Sequence, residues 1–117
     1  MTNKQRRDAQ MAYIADDSVW KEMQVCRRKL QKLNVMDRSD LEGIQEAVKD
    51  LFGKSEDAMV NPPFYCDYGK HIEVGKNFFA NYNCTILDVA KVKIGDNCQM
   101  APNVAIYTSG HPMHPVI

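Results

Sequence analysis

The chain has 117 residues, with 15 Lys plus Arg against 15 Asp plus Glu and a formal net charge of zero. That length suits one compact domain, and a balanced charge supplies no long-range field to draw in nucleic acid or an anionic membrane. No apolar run approaches the roughly 20 residues of a membrane helix, and the polar opening MTNKQRRDAQ has no apolar segment behind it, so a cytoplasmic protein is expected.

Residues 1–60 read as helical. Val19, Met23, Cys26, Leu30 and Leu33 are spaced by three and four, which makes one apolar stripe on an α-helix. Ser18, after Asp16 and Asp17, is the expected N-cap, and the acidic pair suits the positive end of the helix dipole. A second helix is expected from Ser39, where Ser39-Asp40-Leu41-Glu42 has capping-box spacing and Leu41, Ile44, Val48 and Leu51 follow as its apolar face. Gly53 is its expected stop. Two short helices of this kind form a hairpin that must cover its apolar faces on the rest of the chain.

At Asn61-Pro62-Pro63 the character changes, because consecutive prolines exclude helix. Residues 61–117 are accordingly assigned to a second part of the chain. Ile72, Phe78 and Cys84 fall six apart, and so do Val92, Cys98 and Val104. Two positions after each stands another apolar or small residue: Val74, Ala80 and Ile86, then Ile94, Met100 and Ile106. Glycine recurs in Val74-Gly75-Lys76-Asn77 and Ile94-Gly95-Asp96-Asn97, where it is expected to permit a tight corner. Period two within a unit means a short strand, and period six between units means that the chain turns onto a new face. The offset between the two sets is three sixes plus two residues near Asp88-Val89. The expected fold is α+β: an N-terminal helical hairpin, then a parallel β-helix of about two coils.

Cys26, Cys66, Cys84 and Cys98 form no CxxC pair, so they are expected to be free thiols packed as small hydrophobes rather than disulfides or zinc ligands. A zinc enzyme on a β-helix needs three convergent histidines, and His71, His111 and His114 show no such spacing; no metal is expected.

The segments Pro63-Phe64-Tyr65-Cys66-Asp67-Tyr68-Gly69, Asn77-Phe78-Phe79-Ala80-Asn81-Tyr82-Asn83 and Ala101-Pro102-Asn103-Val104 resemble the maltose and galactoside O-acetyltransferases, and Tyr107-Thr108-Ser109-Gly110-His111-Pro112 extends the match. The helical first half, with Tyr13, Asp17 and Asn34, resembles their N-terminal domain, although the family continues through further coils. The resemblance implies that the parallel β-helix is left-handed, and it implies direct acetyl transfer from acetyl-CoA to a sugar hydroxyl, in a homotrimer with active sites between subunits. It makes His111 the general base, a role suited to a side chain that titrates near neutrality. It places Asn81 at the reacting centre, Asp17 and Asp67 on acceptor hydroxyls, and Phe79 in the wall of the sugar pocket. Val89 stands where galactoside enzymes carry an acidic residue, so Leu87-Asp88-Val89 looks maltose-like. The expected sugar-binding arginine falls near Gln24, with Arg27 or Arg28 a turn on. The alternative is a β-helix fragment without catalysis, acting only as a trimerising or structural module.

Overall fold

The computed structural model describes residues 2–8 and 16–108. It opens with three helices, α1 (Asn3–Asp8), α2 (Asp17–Asn34) and α3 (Leu41–Leu51). Eight short strands follow: β1 (Met59–Val60), β2 (Phe64–Cys66), β3 (Ile72–Val74), β4 (Phe79–Ala80), β5 (Cys84–Leu87), β6 (Val92–Ile94), β7 (Gln99–Met100) and β8 (Ala105–Tyr107). They form three parallel sheets, β1-β4-β7, β2-β5-β8 and β3-β6. Met59 pairs with Phe79 and Phe79 with Gln99, Phe64 with Cys84, and Ile72 with Val92, so each strand lies on the one a full turn of chain later. Three faces wound in this way enclose a prism whose interior is filled by the hexad residues.

The stack begins before the double proline. Lys54 bridges to Glu73, and β1 lies upstream of Asn61, so residues 54–60 belong to the coils and not to the helical part expected over 1–60. The Pro62-Pro63 bond is cis. Phe52, Ala58, Val60, Phe64 and Cys66 are buried as the innermost layer. Large and small residues alternate along the stack: Phe64 lies under Cys84, and Ala58 precedes Phe78 by the same turn of chain. Phe52 packs on both rings, with centroids 5.5 Å from Phe64 and 6.2 Å from Phe78. Cys84 is small because aromatic rings already fill its surroundings, and burial together with the neighbouring Cys98 pushes its thiol up to about 11.

α2 rests on β2 and α3 on β1, so the helices close one end of the prism. Cys26, Leu30 and Leu33 of α2 and Ile44, Val48 and Leu51 of α3 share one core with Phe52, Val60 and Phe64. The capping residues differ from the expected ones. Asp16 caps α2, because its carboxylate reaches both Ser18 N and Val19 N while Ser18 spends its hydroxyl on the same carboxylate. Asp40 caps α3 through Gly43 N, and Ser39 bonds Asp37 instead. In both places a carboxylate within two residues of the expected serine offers the stronger acceptor.

Gly75 and Gly95 are not the left-handed residues of the corners. Among the described residues these are Asn77, Asn83, Asn97 and Asn103, with φ between 60° and 64°, and Gly69, with φ 76°, between β2 and β3. Asparagine tolerates this region better than other side-chain-bearing residues. Gly75 serves a different need: a Cβ there would stand 2.8 Å from Asp96 N of the next rung. Gly53 likewise lies against the carbonyl oxygen of Lys70 and terminates nothing, since α3 already ends at Leu51 with Phe52 extended.

Candidate active site

Asp17 is the first residue of α2, and the cap before it sets its position. The Asp16 carboxylate takes hydrogen bonds from Ser18 Oγ at 2.7 Å, Asn3 Nδ2 at 2.9 Å and the Ser18 and Val19 amides at 3.1 and 3.2 Å. These donors, the Ser18 hydroxyl first, lower it from 3.8 to about 2. A lowered carboxyl contributes stability that is complete above its unfolded value and is lost as pH falls through the folded one. Helical circular dichroism is therefore expected to fall between about pH 4 and pH 2, and Asp16→Ala should remove that component of the acid transition. An identical acid profile in the variant would contradict the cap.

Asp17 lines a cleft of about 550 Å³ that also includes Arg7, Glu22, Tyr68, Lys70 and His71. Arg7 is buried, with its guanidinium 4.4 Å from the Tyr68 ring centroid, its Nη1 2.6 Å from Glu22 and its Nε 2.9 Å from Asp8. Burial opposes its charge, but the bonds to Asp8, Glu22 and Tyr68 outweigh burial and raise its pKa above the ordinary value. Burial likewise opposes the Glu22 charge, and Arg7 and Lys4 overcome it and lower the carboxyl. His71 Nδ1 lies 2.7 Å from the Asp88 carbonyl oxygen, and a carbonyl only accepts, so Nδ1 carries the proton. Its Nε2 faces Asp8 at 3.6 Å.

Asp67 sits half-buried at the corner between β2 and β3. The two residues that break the six-residue period widen the corresponding corner of the next rung, and Asp88 turns inward there. Its Oδ1 accepts from Asp67 N and Tyr68 N, each at 3.0 Å. Burial first, and the Asp88 charge second, raise the Asp67 carboxyl, while Arg27 pulls it down. Among Gln24, Arg27 and Arg28, Arg27 is thus the side chain whose charge acts on the candidate carboxylate.

Asn81 occupies a different corner, between β4 and β5. Its Oδ1 accepts from Tyr82 N at 2.9 Å and Asn61 Nδ2 at 3.2 Å, which leaves Nδ2 with no partner among the described residues. Phe79, half-buried beside it on β4, alternates with the buried Phe78 and Ala80 and so faces outward. The β5 face, about 13 Å long at 3.3 Å per residue, separates this pair from the Asp67 corner. His111 and Tyr13 lie outside the described residues. The chain thus places its candidates apart: Asn81 with Phe79, Asp67 with Arg27, and Asp17 ten residues before Arg27 on α2, in the cleft that Tyr68 and His71 line. Asp88 and the Arg7–Tyr68–His71 cluster were missed as parts of this region, though the break in the repeat at Asp88 marked the place. Among the described residues, no group of three His, Cys, Asp or Glu could hold a metal ion, and no helix is long and apolar enough to cross a membrane.

No protein-family model matches the chain. The galactoside O-acetyltransferase of Escherichia coli K12 is 46% identical over 77 residues, which cover 65% of this chain and 38% of the relative. The enzyme of the same name from Lactococcus lactis is 33% identical over 102 residues, covering 86% and 49%. The solved maltose O-acetyltransferase of Clostridium difficile 630 superposes with a TM-score of 0.94 at 40% identity, over 97% of this chain and 62% of that one. The chain belongs to the maltose/galactoside O-acetyltransferase family. A galactoside acetyltransferase solved in complex with coenzyme A also superposes, with a TM-score of 0.90 and 34% identity over 97% of this chain and 58% of that one. The chain spans less than half the length of these two curated acetyltransferases.

Proposed function

We propose that this protein is an acetyl-CoA-dependent O-acetyltransferase whose acceptor is a sugar hydroxyl of the maltose, glucose or galactoside kind. The observation that carries the reading is the superposition on the maltose enzyme over 97% of the chain. The coenzyme A complex of the galactoside relative supports acetyl-CoA as the donor. The coils are taken to wind left-handed, as in the family's β-helix.

In this reading His111 removes the proton of the sugar hydroxyl as its oxygen attacks the thioester carbonyl. The new C–O bond forms, the C–S bond breaks, and coenzyme A leaves as the thiol carrying a proton. Asn81 suits the developing oxyanion, because its oxygen is already engaged and its Nδ2 is the donor left over. Asp17 and Asp67 accept hydrogen bonds from vicinal sugar hydroxyls, and Phe79 lines the apolar side of the ring. The separation of the Asn81 and Asp67 corners in one subunit supports a homotrimer with each site built between neighbours.

The test is thiol release from acetyl-CoA in the presence of maltose, glucose or a galactoside. His111→Ala is expected to lower turnover by at least about a hundredfold, with trimer mass in sedimentation unchanged. Equal rates for wild type and variant would remove His111 from the chemistry. A second reading, a trimerising module without catalysis, draws on the half-buried third layer at Ile94, Cys98, Met100 and Ile106. It is distinguished by a stable trimer that releases no thiol with any of the three sugars.

A further inference from the structure

The seam between the helical cap and the prism contains two thiols. Cys26 is on the face of α2 that rests on β2, and Cys66 ends β2 with its side chain buried. Their sulfurs lie 3.5 Å apart, and Cys26 Sγ is also 3.7 Å from the Cys66 carbonyl oxygen. The neighbouring buried positions of the seam, Leu30, Leu33, Ile44 and Val48, carry side chains that can only pack. Here two nucleophilic groups, separated by 40 residues of chain, are held sulfur to sulfur.

We propose that Cys26 and Cys66 are a redox-reactive dithiol that closes to a disulfide and joins α2 to the first rung of the coil. A disulfide has an S–S length of about 2.05 Å, so rotation of two short side chains with a small shift of α2 supplies the approach. The reaction is exchange with a low-molecular-weight disulfide. One thiolate attacks it and forms a mixed disulfide, releasing one small thiol. The second cysteine then attacks the protein sulfur of that mixed disulfide and releases the other. Two protein thiols lose two hydrogens, and one small disulfide becomes two small thiols.

The surroundings set the rate. Both sulfurs are buried, so exchange proceeds through local opening of α2 from β2. The hydrogen bond from Cys26 and burial raise the Cys66 thiol above its ordinary value, so closure is slow near neutrality and faster at alkaline pH. Cys84 is buried against Met100 at 3.8 Å and has no thiol at comparable distance among the described residues, which keeps it out of the reaction. Closure would fasten the helical cap to the strand that precedes Asp67. The pair's chemistry does not depend on acetyl transfer.

The experiment treats the folded chain with oxidised glutathione at about pH 8.5, blocks remaining thiols, and maps non-reduced tryptic peptides by mass spectrometry. The expected product is peptide 22–27 joined to peptide 55–70, lighter by two hydrogens, with Cys84 and Cys98 recovered as blocked thiols. The melting temperature should rise by roughly 10 °C, because a 40-residue loop is closed in the unfolded chain, and a dithiol reductant should reverse the rise. Cys26→Ala and Cys66→Ser should each lose the cross-link. Stable glutathione adducts without a cross-link, a bridge through Cys84 or Cys98, or full recovery of all four thiols would each overturn the proposal, and these outcomes are read on the wild-type chain even if a variant fails to fold.

Discussion

Phe64→Ala is expected to destabilise the chain by about 3–5 kcal/mol and to lower its melting temperature by more than about 10 °C. Phe64 has no exposed surface, and its ring centroid is 5.5 Å from that of Phe52. It sits where the prism interior meets the helical cap, with Cys84 as its partner in the next rung. Neither side can collapse into the space. Cys84 is fixed by the parallel ladder, and Phe52 is held between Phe64 and Phe78. Asn34 also clamps the backbone of Phe64 at both ends, accepting from its N–H at 2.9 Å and donating to its carbonyl at 3.0 Å. The void therefore persists, and a persistent void adds to the lost transfer energy. Total stability of a domain this size is about 5–15 kcal/mol, so the variant loses a large share of it. Urea unfolding measures the effect. The midpoint should fall with little change in slope, whereas Tyr65→Ala, one residue on and 48% exposed, should shift it by less than about 1 kcal/mol. A Phe64→Ala midpoint within error of wild type would show that the two layers are not packed on one another.

The same packing explains what could be read from the sequence. The hexads from Ile72 to Ile106 were legible because each inward position is occupied twice at matching spacing; the structure buries the set from Ile72 to Ile86 and half-buries most of the set from Val92 to Ile106. The first rung was not legible, because its inward positions are filled by Phe52, Ala58, Val60 and Phe64 with Lys54 and two prolines among them. Their register is visible only once β4 and β5 are seen lying on β1 and β2. The asparagine corners were available as a signal, since Asn77, Asn83, Asn97 and Asn103 each precede an inward hexad residue. Of the candidate site, the sequence named residues but not their grouping. That Asn81 and Asp67 occupy different corners is a property of the winding, and no local motif carries it. Arg27 separates from Gln24 and Arg28 only when α2 is docked beside Asp67.

Asp88 offers the second large effect and tests the corner that interrupts the repeat. Its Oδ1 holds two backbone donors of the preceding rung, and its Oδ2 is buried without a partner among the described residues. Asp88→Ala removes the acceptor and leaves the Asp67 and Tyr68 amides without a bond in a buried corner. Hydrogen bonds to a charged group are worth about 1.5–3 kcal/mol each, so a loss of about 3–6 kcal/mol is expected for the pair. Asp88→Asn keeps an acceptor oxygen in the same place and removes the buried charge, so its cost should be less than half that of alanine. The two variants should also differ in what they leave of the site. The Asp67 carboxyl is raised by burial first and by the Asp88 charge second, so in Asp88→Asn its titration, followed by carbon NMR of the carboxyl, should move down toward the ordinary aspartate range. The sign is fixed by the raised value: above its folded pKa the Asp67 charge costs stability, and that cost fades as pH falls below the unfolded value. Removing the Asp88 charge relieves part of it, so Asp88→Asn should lose less stability at pH 7 than at pH 3. Equal costs for asparagine and alanine, with Asp67 titrating as before, would mean that the carboxylate is needed for its charge and not for the two amides it accepts from.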